Sequence, residues 1–172
     1  MNALIVVDYQ NDFVNGTLGF PEARLLEPII GRKLDKYHNG KGRVIFTLDT
    51  HGDDYSETAE GRSFPTVHCI EGSEGHRLYG RIAEKALPED IKIFKHSYGS
   101  LELAKVLREY NFDEVELCGL VTDICVIANA VIAKTALPES RISVDGRACA
   151  GSSKSAHENA LQVMRGLQIE VI

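Results

Sequence analysis

The sequence predicts an α/β fold: one domain over residues 1–172, built on a mostly parallel sheet with helices on both faces. Three observations carry the prediction. The chain has 172 residues, the size of one domain whose core needs neither disulfides nor a structural metal. Short uninterrupted apolar runs of strand length alternate with segments whose apolar residues recur at helical spacing. Gly, Pro and Asn separate the two kinds of segment. Such alternation makes successive strands parallel and turns the helices into crossovers.

The elements follow in order. The apolar run over residues 3–7 predicts a strand buried on both faces and ended by Asp8. Gly16, Gly19 and Pro21 mark a loop. Leu26, Ile29, Ile30, Leu34 and Tyr37 predict a helix over 25–37, stopped by Asn39-Gly40-Lys41-Gly42. Residues 44–48 form the second strand. Residues 49–76 are polar with little periodicity, and a loop of that length in one domain marks function. A short helix over 78–85, a strand over 91–94 and a helix over 101–110 come next. A strand over 114–120 leads into Val121-Thr122-Asp123, and a helix over 124–137 ends at Pro138. A strand over 142–144, a helix over 156–166 and a strand over 169–172 complete the pattern. No repeat, low-complexity tract or linker suggests a second domain.

Composition narrows the partners. The net charge of -6, with basic residues scattered, disfavours nucleic acid and anionic membranes. No apolar stretch has the length of a membrane span, and no basic leader precedes a cleavage site. The four cysteines match no paired zinc motif and read as reduced thiols of a cytoplasmic protein.

In a parallel sheet the loops past the C-terminal strand ends make the site. Asp8, Asp49, Lys95 and the turn over 121–125 all fall there. Cys125 opens a predicted helix, whose N-terminus favours a thiolate, although a lone cysteine in an apolar run otherwise packs as a small hydrophobe. Cys118, inside a strand, and Cys149, after one, read as structural, as does Cys69. Asp8 is either a loop cap or a general base for the thiol that later acts as acid; Asp12 reads as a turn cap. Lys95 directly follows a buried strand, where an ammonium can hold Asp8 ionised and stabilise a thiolate instead of facing solvent. Asp49 and His51, one residue apart in extended chain, face the same side and suit a divalent metal. His68 offers a third ligand and Cys69 a weaker one, against the ordinary reading of each histidine as a surface group.

Together these residues resemble one family. Val7-Asp8-Tyr9-Gln10-Asn11-Asp12-Phe13, with Gly16 and Leu18, looks like the opening of nicotinamidases and related cysteine hydrolases of the isochorismatase-like superfamily. Asp49-x-His51 and Pro65-x-x-His68-Cys69-x-x-Gly72-x-x-Gly75 resemble its metal-binding segments, and Lys95-x-x-Tyr98-Gly99-Ser100-Leu101 its lysine segment. Gly119-Leu120-Val121-Thr122-Asp123-Ile124-Cys125 is the most specific match, and residues 145–150 fit the late segment. The resemblance spans nearly the whole chain.

The resemblance implies a Rossmann-like three-layer fold and a homo-oligomer. It implies that Asp8, Lys95 and Cys125 deamidate nicotinamide to nicotinate and ammonia through an acyl-enzyme, a step of NAD salvage. It also implies a cis Leu120–Val121 peptide in the turn with Thr122, aiming the Val121 and Cys125 N–H groups at the oxyanion. A divalent metal, zinc first with iron or manganese as alternatives, would sit at Asp49, His51 and His68 and hold the pyridine nitrogen. Phe13, with Phe64 and Tyr98, would wall the substrate. One departure stands out: many members carry a further histidine six residues after the first, where this chain has Glu57, with Glu60 as its rival for that place. The alternatives are an amidase for another small amide or ureido compound, an isochorismatase-type hydrolase, for which Cys125 is superfluous, and a non-catalytic binding module, against which Asp8, Lys95 and Cys125 speak together.

Overall fold

In the computed structural model, which describes residues 1–172, six strands form one sheet. They are β1 (Asn2–Val7), β2 (Arg43–Asp49), β3 (Ile91–Lys95), β4 (Glu114–Leu120), β5 (Arg141–Ala150) and β6 (Glu170–Val171). All pair in parallel, in the order β3-β2-β1-β4-β5-β6. Residues 3–7 of the central strand have no exposed surface, so both faces of the sheet are covered there. Truncating one of these side chains, as in Leu4→Ala, removes about 2–5 kcal/mol.

Eight helices flank the sheet: α1 (Asn11–Val14), α2 (Pro21–Leu25), α3 (Glu27–Asn39), α4 (Ala59–Ser63), α5 (Gly80–Lys85), α6 (Leu101–Tyr110), α7 (Ile127–Ala136) and α8 (Lys154–Gly166). α3 packs on β1, β2 and β5 with α2 and α5 beside it, while α6, α7 and α8 lie side by side. Under α3 a half-buried Lys33 pairs with Glu116 on β4 and with Asp145 on β5 (2.6 Å), and the Tyr37 hydroxyl donates to Glu116 (3.0 Å). Burial opposes the Asp145 charge, but hydrogen bonds from Lys33 and Arg147 outweigh it and hold the carboxyl below its usual range.

The elements depart from expectation where local chemistry outweighs periodicity. The helix expected over 25–37 is α3, and the loop expected around Pro21 holds a further short helix, α2, because Pro21 and Pro28 each occupy a first-turn position that starts a helix. The stretch over 49–76 is not plain loop: it holds a 3-10 turn (Tyr55–Glu57) and α4, which Thr58 caps by accepting the Gly61 N–H at 2.9 Å. The helix expected from 124 begins as a π-helical turn (Thr122–Val126) that leads into α7. β5 runs on to Ala150, past a register shift opposite β4, so Cys149 lies within it.

The sheet order reverses between β1 and β4, which opens a crevice at their C-terminal ends. Gly119 shapes it. Its φ of +116° suits only glycine, and a Cβ there would lie 2.1 Å from the Val7 carbonyl oxygen. β4 therefore passes close to β1 and delivers the turn after Leu120 beside Asp8.

Candidate active site and metal centre

Four neighbouring strand ends each bring one group to the crevice: Asp8 from β1, Asp49 from β2, Lys95 from β3 and Cys125 from the turn after β4. Asp8 is fully buried, with φ 47° in the left-handed region, a conformation that persists where its surroundings impose it. Its N–H donates to the Thr47 carbonyl (3.1 Å) and its Oδ1 accepts from the Thr47 hydroxyl (2.7 Å). Oδ2 faces Lys95 Nζ at 2.7 Å. Lys95 Nζ also lies 2.9 Å from Asp49 Oδ1, 3.0 Å from the Ser97 carbonyl oxygen and 3.5 Å from Cys125 Sγ. The Leu120–Val121 peptide is cis, as the resemblance implied.

These positions set the charges. Burial raises the Asp8 carboxyl above its usual range, with the Lys95 ammonium opposing. Burial also pushes the Cys125 thiol well up, reinforced by the Asp8 charge and opposed by Lys95. Burial works against the Lys95 ammonium, but Asp8, Cys125 and Asp49 outweigh it and keep it charged. The thiolate-favouring helix end expected for Cys125 is thus overridden by burial. Burial works against the thiolate and raises the basicity of the aspartate beside it.

Beside this triad, ligand atoms of Asp49, His51, Glu60 and His68 lie within 4.8 Å of one another. Both imidazole Nε2 atoms face Asp49 Oδ2, at 3.0 Å for His51 and 3.2 Å for His68, and both lie 3.9 Å from Glu60 Oε1. His68 Nδ1 is 2.8 Å from the Thr66 carbonyl oxygen, so it carries the proton and leaves Nε2 as the free ligand atom. Burial disfavours the Asp49 charge, yet His51, His68 and Lys95 hold that carboxyl below its usual range. Two carboxylates and two imidazoles converging on one point fit a divalent ion, whose charge would balance theirs.

The fourth member of this group is Glu60. Glu57 is exposed in the 3-10 turn and lies outside it. Cys69 contributes backbone instead of sulfur: its N–H donates to Asp12 Oδ2 (2.8 Å) and its carbonyl accepts from His51 N–H (3.0 Å). Asp12 is the turn cap expected of it, since Oδ1 accepts from Thr17 N–H at 3.3 Å. The Phe13 and Phe64 rings meet His68 edge-on, with centroids 5.6 and 5.9 Å away. Tyr98 borders a cleft of about 460 Å³ with His51, Thr58, Glu60 and Ser97. Tyr98 and Phe64 are both about half exposed.

A model of the isochorismatase domain matches residues 2–172. The chain belongs to the isochorismatase family. Within the family it is 30% identical over 192 residues to the nicotinamidase/pyrazinamidase of Mycobacterium tuberculosis, an alignment covering 100% of this chain and 98% of the other. The crystal structure of the nicotinamidase/pyrazinamidase from Bacillus subtilis superposes with a TM-score of 0.89 at 33% identity, covering 99% of this chain and 98% of that one. The pyrazinamidase of Pyrococcus horikoshii, solved in complex with zinc, superposes with a TM-score of 0.87 at 28% identity, covering 99% and 98%.

Some functional neighbours of this isochorismatase-family site carry no sequence signal of their own. Thr47 reads as one more β-branched strand residue, yet it orients Asp8. Gln10 clamps Asp49 by donating to its carbonyl (2.9 Å) and accepting its N–H (2.8 Å). His157 on α8 meets the Thr122 hydroxyl at 2.8 Å. Asn129 has a signal, being the single polar residue in Ile127-Ala128-Asn129-Ala130-Val131-Ile132, one helical turn after Cys125.

Proposed function

We propose that this protein is a cysteine amidohydrolase that converts nicotinamide to nicotinate and ammonia. The observation that carries the reading is the meeting of Cys125 Sγ, Lys95 Nζ and Asp8 Oδ2 directly beside the Asp49, His51, Glu60 and His68 group. The names of the nicotinamidase relatives support it.

Asp8 takes the thiol proton as Sγ attacks the carboxamide carbon, and Lys95 stabilises the negative charge that passes through sulfur. The backbone N–H groups of Val121 and Cys125 receive the oxyanion. The tetrahedral adduct collapses as Asp8 returns the proton to nitrogen, and ammonia leaves a thioester on Cys125. Water then adds to the thioester, giving its proton to Asp8. The C–S bond breaks, and the proton passes back to sulfur as the acid departs. Asp49, His51, Glu60 and His68 would hold a divalent ion, zinc in our reading, which would supply Lewis-acid chemistry towards the ring nitrogen. Phe13 and Phe64 wall the ring beside His68, and Tyr98 closes the opposite rim.

Ammonia release from nicotinamide by purified protein, with metal content measured on the same sample, tests the proposal. Cys125→Ala and Asp8→Asn should each lower turnover about 10³-fold or more; activity retained in either rejects the mechanism. Metal-loaded protein inert towards nicotinamide but active on another small amide or ureido compound would establish the alternative substrate class. The same reading places the protein in the cytoplasm, as a homo-oligomer serving NAD salvage. Light scattering on the purified protein reports the assembly.

A further inference from the structure

Cys125 and Lys95 belong to different elements, and the 3.5 Å between Sγ and Nζ requires that those elements keep a fixed relation. The nucleophile lies in the turn Thr122–Val126. The lysine ends β3 and is followed by a five-residue connection, 96–100, to α6. One side chain bonds to both segments. Asn129 on α7 is fully buried, and its carboxamide uses both donor hydrogens and its oxygen. Nδ2 donates to the Cys125 carbonyl (2.8 Å) and to the Tyr98 carbonyl (3.0 Å), while Oδ1 accepts the Ser100 N–H (3.1 Å).

The lysine-bearing connection is otherwise held at few points. Lys95 Nζ itself bonds the Ser97 carbonyl at 3.0 Å, and His96 Nδ1 meets the Thr50 carbonyl oxygen at 2.8 Å. Ser100 caps α6 by accepting the Leu103 N–H at 3.1 Å. Gly99 packs so close to α7 that a Cβ would meet Ile132 Cδ1 at 2.6 Å. Between those points only Asn129 reaches across to the nucleophile. A buried amide in an apolar helix costs stability unless it is fully paired, and a small apolar residue would fill this place in the helix without that demand.

We propose that Asn129 is a positioning residue that holds the Cys125 turn against the 96–100 connection, setting the Lys95–Cys125 contact and the seat of Tyr98. This rests on Cys125 being the nucleophile and not on which amide it attacks. Asn129→Ala leaves the Tyr98 carbonyl and the Ser100 N–H without their partner and frees the connection to drift. A misplacement of the order of 1 Å costs about 10²-fold in rate.

The test compares the parent with Asn129→Ala and with Asn129→Ser, whose hydroxyl can bond back to the Cys125 carbonyl but cannot reach the connection. Melting temperature, kcat and KM for nicotinamide, and the pH profile of Cys125 alkylation by iodoacetamide, mapped to the peptide, are measured on each. We expect folded variants whose kcat falls about 10²-fold with KM changed by less than about threefold. Their Cys125 alkylation profile should shift to higher pH, because Lys95 no longer faces the sulfur squarely. A purely structural role would lower the melting temperature and leave that profile in place. A folded Ala variant with the parental profile and kcat overturns the proposal. Loss of the fold in both variants overturns it too, since Asn129 would then be a requirement of the core. A parent inert towards nicotinamide whose variants still show the shifted profile would refute the substrate and leave the positioning role standing.

Discussion

At the scale of single residues, the chemistry depends on burial working on Asp8. A carboxylate at the end of a central strand has no water to stabilise its charge, so its pKa rises above the 3.8 of an exposed aspartate. Asp8 accepts the thiol proton only when ionised, so kcat/KM should fall on the acid side through a pKa above 3.8. A pH–rate profile reads that limb directly. The stability consequence has the opposite sense. A raised folded pKa contributes stability that is fully present below 3.8 and is lost as pH rises through the folded value. At neutral pH the Asp8 charge therefore opposes folding. Asp8→Asn, while abolishing turnover, should leave the melting temperature at pH 7 equal to the parent's or above it. A large drop would mean that the Lys95 pair stabilises more than burial costs.

At the scale of elements, two charged side chains, Asp12 and Lys33, join parts of the chain that are far apart in sequence. Asp12 on α1 accepts the Cys69 N–H, and Cys69 in turn accepts from His51, so α1 helps to hold both metal-facing histidines. Asp12→Ala should cost about 1.5–3 kcal/mol, the worth of a hydrogen bond to a charged group, and should weaken divalent-ion binding in a calorimetric titration. Lys33, between Glu116 and Asp145, ties α3 to β4 and β5. Lys33→Met strands two carboxylates and should cost about 3 kcal/mol in denaturant unfolding at pH 7. Asp145 has a lowered folded pKa, so its contribution is present above 3.8 and lost as pH falls through the folded value. The penalty of Lys33→Met should shrink accordingly in acid.

Elements were legible from sequence where burial and capping agreed. β4 and α6 match the expected bounds because an apolar run and a Ser100 cap mark them. α2 was read as loop because Gly16, Gly19 and Pro21 mark one there, while a proline that starts a helix acts through φ, which periodicity does not register. Glu57 and Glu60 could not be separated by counting from His51. The choice is made by Thr58, whose cap begins α4 and sets Glu60 in its first turn, facing the histidines.

At the scale of the whole molecule, the site is a product of strand order. Asp8, Asp49, Lys95 and Cys125 span residues 8 to 125, yet they stand on four adjacent strand ends. Their location past those ends was legible because the parallel alternation was. The bonds of Thr47, Gln10, His157 and Asn129 were not, since each depends on which strands and helices become neighbours. The metal group joins β2, α4 and the segment around His68, so binding there should stabilise the entire fold. An ion at about 100 times its Kd adds about 2.7 kcal/mol. Chelation should lower the melting temperature, and restoring the ion should recover it; an unchanged melting temperature would count against a metal at this site.

Asp49 turns one oxygen to the two histidines and the other to Lys95. No substitution there can therefore change which ion the protein prefers without also disturbing the ammonium that faces the nucleophile. Glu60 has no such double allegiance: it stands on a short helix of its own and touches no member of the triad. An effort to convert this protein to a different metal should vary Glu60 and its helix while leaving Asp49 alone. Natural drift in metal usage would be channelled to the same position.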